Sequence, residues 1–154
     1  VTGLQPRELG LKKAQRHRAR EAALQILYQQ EVGRCDVAQA IETFFGFQWP
    51  HPDAAPEGLR TFAADLARET VRRLPAIDLL IAETAERWRP ERMAVLDRLI
   101  LRMAVCELLR DPETPPAVVI NEALELARTF STEDAVRFIN GMLDGVRKKM
   151  QREA

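Results

Sequence analysis

Apolar residues recur at three- and four-residue spacing along most of the chain, the period of an amphipathic helix. β-Branched residues never form the long alternating runs of a half-buried sheet. The nine prolines fall between the periodic segments or at their edges, where a missing N–H and a restricted preceding residue end helices. The pattern predicts an all-α protein of about seven helices. The first runs from about Leu11 to Val32, with Gly33 as its left-handed stop. The second covers about Asp36 to Phe45, with Asp36 as N-cap and Gly46 as terminator. A proline-broken loop, Phe47 to Pro56, leads to the third, about Glu57 to Leu74, and Pro75 separates that from the fourth, about Ala76 to Trp88. Pro90 opens the fifth, which runs to about Arg110, and Asp111 to Pro116 form a rigid turn. The sixth spans about Pro116 to Phe130, and the seventh continues from after Ser131 to about Met150.

Two helices stand out. In the seventh, Ala135, Phe138, Ile139, Met142, Leu143 and Val146 form one apolar stripe. The fifth, AVLDRLILRMAVCELL, is apolar over most of its circumference and is expected at the centre of the core. Gly141, inside the seventh helix, is expected to mark a close backbone approach, because glycine there costs about 1 kcal/mol relative to alanine. Asn121 and Asn140 are expected to fix helix–helix geometry through hydrogen bonds.

The length of 154 residues suits one domain, read as residues 12–150 behind a flexible extension, residues 1–11. No apolar stretch reaches the roughly 18 residues of a spanning helix, and the amino terminus lacks the apolar region of a secretory signal. Cys106 lies in a strongly apolar segment and reads as a buried thiol of a reduced, cytoplasmic protein, without contact with a membrane.

Charge changes the picture. Lys plus Arg equals Asp plus Glu, 23 against 23, but residues 1–20 carry six bases (Arg7, Lys12, Lys13, Arg16, Arg18, Arg20) against Glu8 alone. The arm is therefore +5 and the remainder −5. On a helix Lys13, Arg16, His17 and Arg20 share one face beside the apolar stripe of Ala19, Ala22, Ala23 and Ile26. Such a row of guanidinium forks can track a nucleic-acid backbone. An acidic protein or membrane surface is the other reading of the same charges, and RNA is favoured over DNA only by the lack of helix-turn-helix or zinc-finger spacing.

Catalytic chemistry finds no foothold. Ser131, the only serine, precedes a helix and reads as its cap, with its oxygen facing the N–H of Asp134. Glycines do not cluster into a phosphate cradle, so no nucleotide or S-adenosylmethionine cofactor is expected. His17 and His51 have no ligand-spaced neighbours, so no metal is expected, and Glu122 and Glu125 read as a helix face. The chain is read as a binding protein, not an enzyme.

Four segments carry a resemblance. Arg18 to Tyr28 (RAREAALQILY) resembles the opening helix of the NusB transcription-antitermination family. Leu96 to Ala104 (LDRLILRMA) resembles its core helix, Val119 to Arg128 (VINEALELAR) its internal INEA segment, and Phe138 to Asp144 (FINGMLD) its F-[VI]-N-G-x-L ending. The resemblance implies two small packed helical bundles. It implies binding of boxA-type single-stranded RNA in ribosomal-RNA leader transcripts, together with the ribosomal small-subunit protein NusE, in an RNA polymerase antitermination complex. By matching position, Lys12, Lys13, Arg16, Arg18 and Arg20 would contact RNA, with His17 standing where many relatives have arginine. Asp134 and Phe138 match a second patch near the RNA, and Tyr28 and Asp97 match the partner face. Phe138 and Tyr28 each divide between a core position and an interface position.

Similar domains also precede ribosomal-RNA cytosine methyltransferases, but no catalytic domain is expected behind these helices. A helical homodimer, with the basic arm of one copy on the acidic body of another, is the alternative of a different class.

Overall fold

A computed structural model of the protein describes residues 11–85 and 88–153. The expected extension over residues 1–11 lies, apart from Leu11, outside them. The described residues form seven α-helices and no strand, as the periodicity predicts. They divide into two compact units, one ending at Arg72 and the other beginning at Arg73. No helix among them is long and apolar enough to cross a membrane.

The first unit holds α1 (Lys13–Gly33), α2 (Val37–Thr43) and α3 (Glu57–Arg72). Its core is rich in alanine. Ala19, Ala22 and Ala23 of α1 and Ala63 and Ala67 of α3 are all buried, and such short side chains let two helix axes approach closely. Leu24, Ile26, Leu27, Leu59, Phe62 and Leu66 fill the space around them. The left-handed residue that ends α1 is Arg34 (φ 52°), one position beyond the expected Gly33, which is the last helical residue. That conformation costs a non-glycine residue about 1–2 kcal/mol. Here Arg34 N–H bonds Gln30 O, and Cys35 N–H bonds the same carbonyl (3.2 Å). Gly46 does not stop the second helix. The backbone widens into a π-helical turn, Phe44–Gln48, which buries Phe44 and leaves Phe47 in solvent. Asp36 occupies the expected cap position but makes no side-chain cap bond.

The second unit holds α4 (Leu74–Thr84), a 3₁₀ turn (Pro90–Arg92), α5 (Val95–Arg110), α6 (Pro116–Phe130) and α7 (Glu133–Glu153). As expected, α5 is buried nearly all round, from Leu99 to Leu108. It packs against α4, α6 and α7. Cys106 is buried, and neither Cys106 nor the half-buried Cys35 forms a disulfide. Arg102, on α5, donates two hydrogen bonds to Asp78 of α4 (Nε–Oδ1 and Nη2–Oδ2, both 2.9 Å). The turn after α5 is held by Asp111, whose Oδ1 accepts the N–H groups of Glu113 and Thr114 (3.1 Å each).

Several boundaries moved. Pro75 lies inside the first turn of α4, where no N–H is needed, so it does not separate the helices. α4 ends at Thr84 and not at Trp88, and Pro90 opens only the 3₁₀ turn. The cap of α7 is Thr132, whose Oγ1 accepts the N–H of Ala135 (3.1 Å); Ser131 instead closes α6. The close approach expected at Gly141 occurs at Gly145, where an added Cβ would lie 2.7 Å from Thr84 Cγ2. A Cβ at Gly141 meets nothing within 4 Å. Asn121 and Asn140 are exposed and so do not serve as buried links between helices.

The two glycines of α7 should therefore respond with opposite signs. Gly141→Ala should stabilise by up to about 1 kcal/mol through helix propensity. Gly145→Ala should destabilise by about 1–3 kcal/mol by overpacking, because Thr84 is held by its hydroxyl bond to Leu80 O (2.9 Å). Urea denaturation of the two variants checks both signs.

Candidate nucleic-acid interface

The basic arm begins at Lys12, whose backbone N–H bonds Gln15 Oε1 (3.1 Å) and closes the first turn of α1. Lys12, Lys13 and Arg18 are exposed, and Arg16 and His17 are half-buried. Arg16 folds back so that its Nη1 donates to Leu11 O (2.6 Å). His17 Nε2 lies 3.2 Å from Glu21 Oε1.

Arg20 departs from the expected face. It is 2 % exposed, with its guanidinium over the Phe62 ring (5.4 Å to the centroid). The reason is helical register. Its neighbours at i+3, i+4 and i+7, namely Ala23, Leu24 and Leu27, are all buried, so Arg20 lies inside the packed arc of α1. It supports the arm from beneath and is not part of its exposed surface.

The second unit presents a different surface. Asp134, exposed in the first turn of α7, pairs with Arg137. Phe138, one turn on, is 46 % exposed, so its ring is not a core residue. It lines a hollow of about 360 Å³ with Ala85, Trp88, Arg89, Arg92 and Met93. Trp88 is fixed there by its Nε1–H on Met93 Sδ (3.1 Å) and by the Arg102 guanidinium over its ring (5.9 Å). Arg89 and Arg92 were missed by sequence reasoning. The signal is a tryptophan with arginines close by, Trp88, Arg89 and Arg92, in a stretch that the pattern assigns to the ends of two helices. Further along α7, Asp144 accepts from Arg147 Nη2 (2.8 Å) and lies 3.0 Å from Lys148 Nζ. These bonds, Arg147 first, hold its carboxyl below the ordinary value, so one carboxylate partly offsets two cations.

Of the residues matched to a partner face, Tyr28 is 42 % exposed on α1. Asp97, on the first turn of α5, is half-buried, and its Oδ1 has no hydrogen-bond donor among the described residues.

The fold defines a small all-helical protein whose positive charge is concentrated at the start of its first helix. The NusB family model matches residues 17–148. The transcription antitermination protein NusB of Koribacter versatilis (strain Ellin345) is 43 % identical over 143 residues, covering 93 % of this chain and 95 % of the relative. That of Solibacter usitatus (strain Ellin6076) is 47 % identical over 137 residues, covering 89 % and 91 %. The T. maritima NusB structure superposes with a TM-score of 0.77 at 33 % identity, covering 90 % of this chain and 97 % of that one. A chain from a crystal structure of antitermination factors NusB and NusE with dsRNA shares the fold at TM-score 0.76 and 22 % identity, covering 90 % and 99 %. The chain belongs to the NusB family.

The two neighbouring arginines of the arm should separate by stability. Arg20→Ala should cost about 2–3 kcal/mol, from lost stem packing against the core. Arg18→Ala should change stability by less than about 0.5 kcal/mol. Equilibrium urea curves measure both.

Proposed function

We infer that the protein is a non-catalytic transcription antitermination factor. It binds boxA-type RNA in ribosomal-RNA leader transcripts together with NusE, as part of an RNA polymerase antitermination complex in the cytoplasm. The observation that carries this reading is the row of accessible cations at the start of α1, on a chain whose residues 21–154 are net −5. The names of the relatives at 43 % and 47 % identity support the antitermination role. Lys12, Lys13, Arg16, His17 and Arg18 hold RNA phosphates, and Arg20 sets the helix that presents them. Phe138 forms the second patch, where a ring with one free face can stack on a base and Arg89 and Arg92 can meet phosphate. Asp134 opposes RNA there and restrains Arg137. Tyr28 serves the protein partner through an exposed phenol for packing, and Asp97, whose Oδ1 is buried, is assigned to it by matching position alone.

A short cationic arm on an acidic body binds RNA only moderately by itself, and a basic partner beside it lengthens the positive track. Linkage then requires RNA to raise partner affinity by the factor by which the partner raises RNA affinity.

Titrating each variant with boxA-type RNA alone and with NusE alone tests the division. Arg16→Gln with Arg18→Gln should weaken RNA binding and flatten its log–log salt slope by about 1.4, since each phosphate neutralised on a single strand contributes about 0.7. NusE binding should hold. Tyr28→Asp should weaken NusE binding and spare RNA. Parallel loss of both ligands in both folded variants would defeat the two-surface reading.

A further inference from the structure

The segment after the π-helical turn lies beside α1 in the first unit. Arg18, Glu21 and Gln25 of α1 face Trp49, Pro50 and His51 across a hollow of about 160 Å³. That is room for a single flat heterocycle. The aromatic wall is fixed before any ligand arrives. Trp49 Nε1–H bonds Asp53 O (2.8 Å), and its ring packs on Phe45 (centroids 5.7 Å) and against the edge of Phe44 (6.2 Å). His51 meets Trp49 edge to face at 4.8 Å. The opposite wall is polar. Arg18 is exposed, and no carboxylate pairs with it among the described residues.

We propose that this hollow is a nucleobase subsite, in which one unstacked base of the bound RNA lies against Trp49 and His51 while Arg18 holds an adjoining phosphate. The proposal rests on the RNA-binding reading of the arm and adds a place where a base, not only the backbone, is recognised. Unstacked bases of single-stranded RNA bind on aromatic, histidine and guanidinium planes, which this hollow presents together. Arg18 belongs to the exposed arm, so a strand following its cations reaches the hollow without a break. The polar wall also discriminates. The Glu21 carboxylate only accepts hydrogen bonds and favours an exocyclic amino group, while the Gln25 amide can donate and accept. Cytosine and adenine are therefore preferred to uracil, whose exocyclic groups are both carbonyls.

The test uses the full chain with short oligo(rC) and oligo(rU) at several salt concentrations. Oligo(rC) should bind more tightly than oligo(rU). His51→Ala should weaken oligo(rC) binding about tenfold through loss of stacking while leaving the salt slope unchanged. Arg18→Gln should lower both affinity and slope, the slope by about 0.7. The chain has two tryptophans, so Trp88→Phe leaves Trp49 as the only tryptophan, and under excitation selective for tryptophan saturating oligo(rC) should quench it. If the wild type binds oligonucleotide with its salt-dependent arm, but His51→Ala binds equally well and Trp49 emission does not move, the subsite is wrong and the arm stands. If the wild type binds neither oligonucleotide even at low salt, the RNA-binding reading and the subsite fall together.

Discussion

The burial of Arg20 sets the rotation of the first helix. A guanidinium cannot be dehydrated casually, and an arginine almost fully excluded from solvent stays where its surroundings compensate it. Here the ring of Phe62 lies beneath the charge and the stem runs among buried alanines and leucines. Turning α1 about its axis would bring Arg20 out and put Arg18 or His17 inside, so one orientation is selected. From that orientation the rest follows. Arg16 and His17 come to the flank, half-buried and bonded to Leu11 and Glu21. Arg18 turns toward the Trp49–His51 segment. Tyr28, two turns beyond Arg20, keeps an exposed ring. One cation of the arm is thus structural, and its burial leaves Arg18 in solvent.

The second unit repeats the device with different partners. Arg102 sits on the most buried helix, and Asp78 answers it with both carboxylate oxygens. The same guanidinium lies over Trp88, in the irregular stretch between α4 and α5. The described part of that stretch is held by single turns, with Trp88 N–H on Ala85 O (3.1 Å) and Arg92 N–H on Arg89 O (3.0 Å). The Trp88 side chain adds to these, with Arg102 on its face and Met93 at its indole nitrogen. Phe138, Arg89 and Arg92 then surround a hollow whose wall is tied to the core.

Much of this was legible in the sequence, where periodicity is strong. The all-round apolar pattern of α5 and the stripe of α7 required only counting, and prolines and turn residues located both ends of α6 to the residue. The misplacements share a cause, which is that residue type was allowed to outweigh position. Arg20 was read as exposed because it is charged, although its i+3, i+4 and i+7 neighbours are apolar. Gly141 was read as a contact and Gly145 passed over, although both break helix propensity equally; only the packing of α4 on α7 distinguishes them. Ser131 and Thr132 are both good caps, and the register of α6, which runs to Phe130, decides between them. The π-helical turn has no periodic signature, since one widened turn is too short to show one. Phe138 falls on the apolar stripe, and only the structure shows that the stripe is wider than the core it covers.

The exposed features also explain why a neutral chain can sort its ligands. The densest cluster of cations lies at the start of one helix, on a chain whose remaining residues carry more acids than bases, and Arg89 and Arg92 beside Phe138 form a second, smaller set. Screening restricts their attraction for polyanions to about 8 Å at physiological salt, so under the proposed function the arm acts on RNA beside it and hardly beyond. The other exposed groups answer to a different chemistry. Tyr28 offers ring area, worth about 25 cal/mol for each Å² removed from water and nearly independent of salt. Asp97 Oδ1, dry and undonated, costs about 1–3 kcal/mol and is too deeply buried to be met directly from outside. Under the proposed function, phosphates are drawn by the arm and a protein partner by the uncovered ring of Tyr28. Specificity between the two classes of ligand therefore needs no moving part. It is set by where α1 places its cations and where it leaves a ring uncovered.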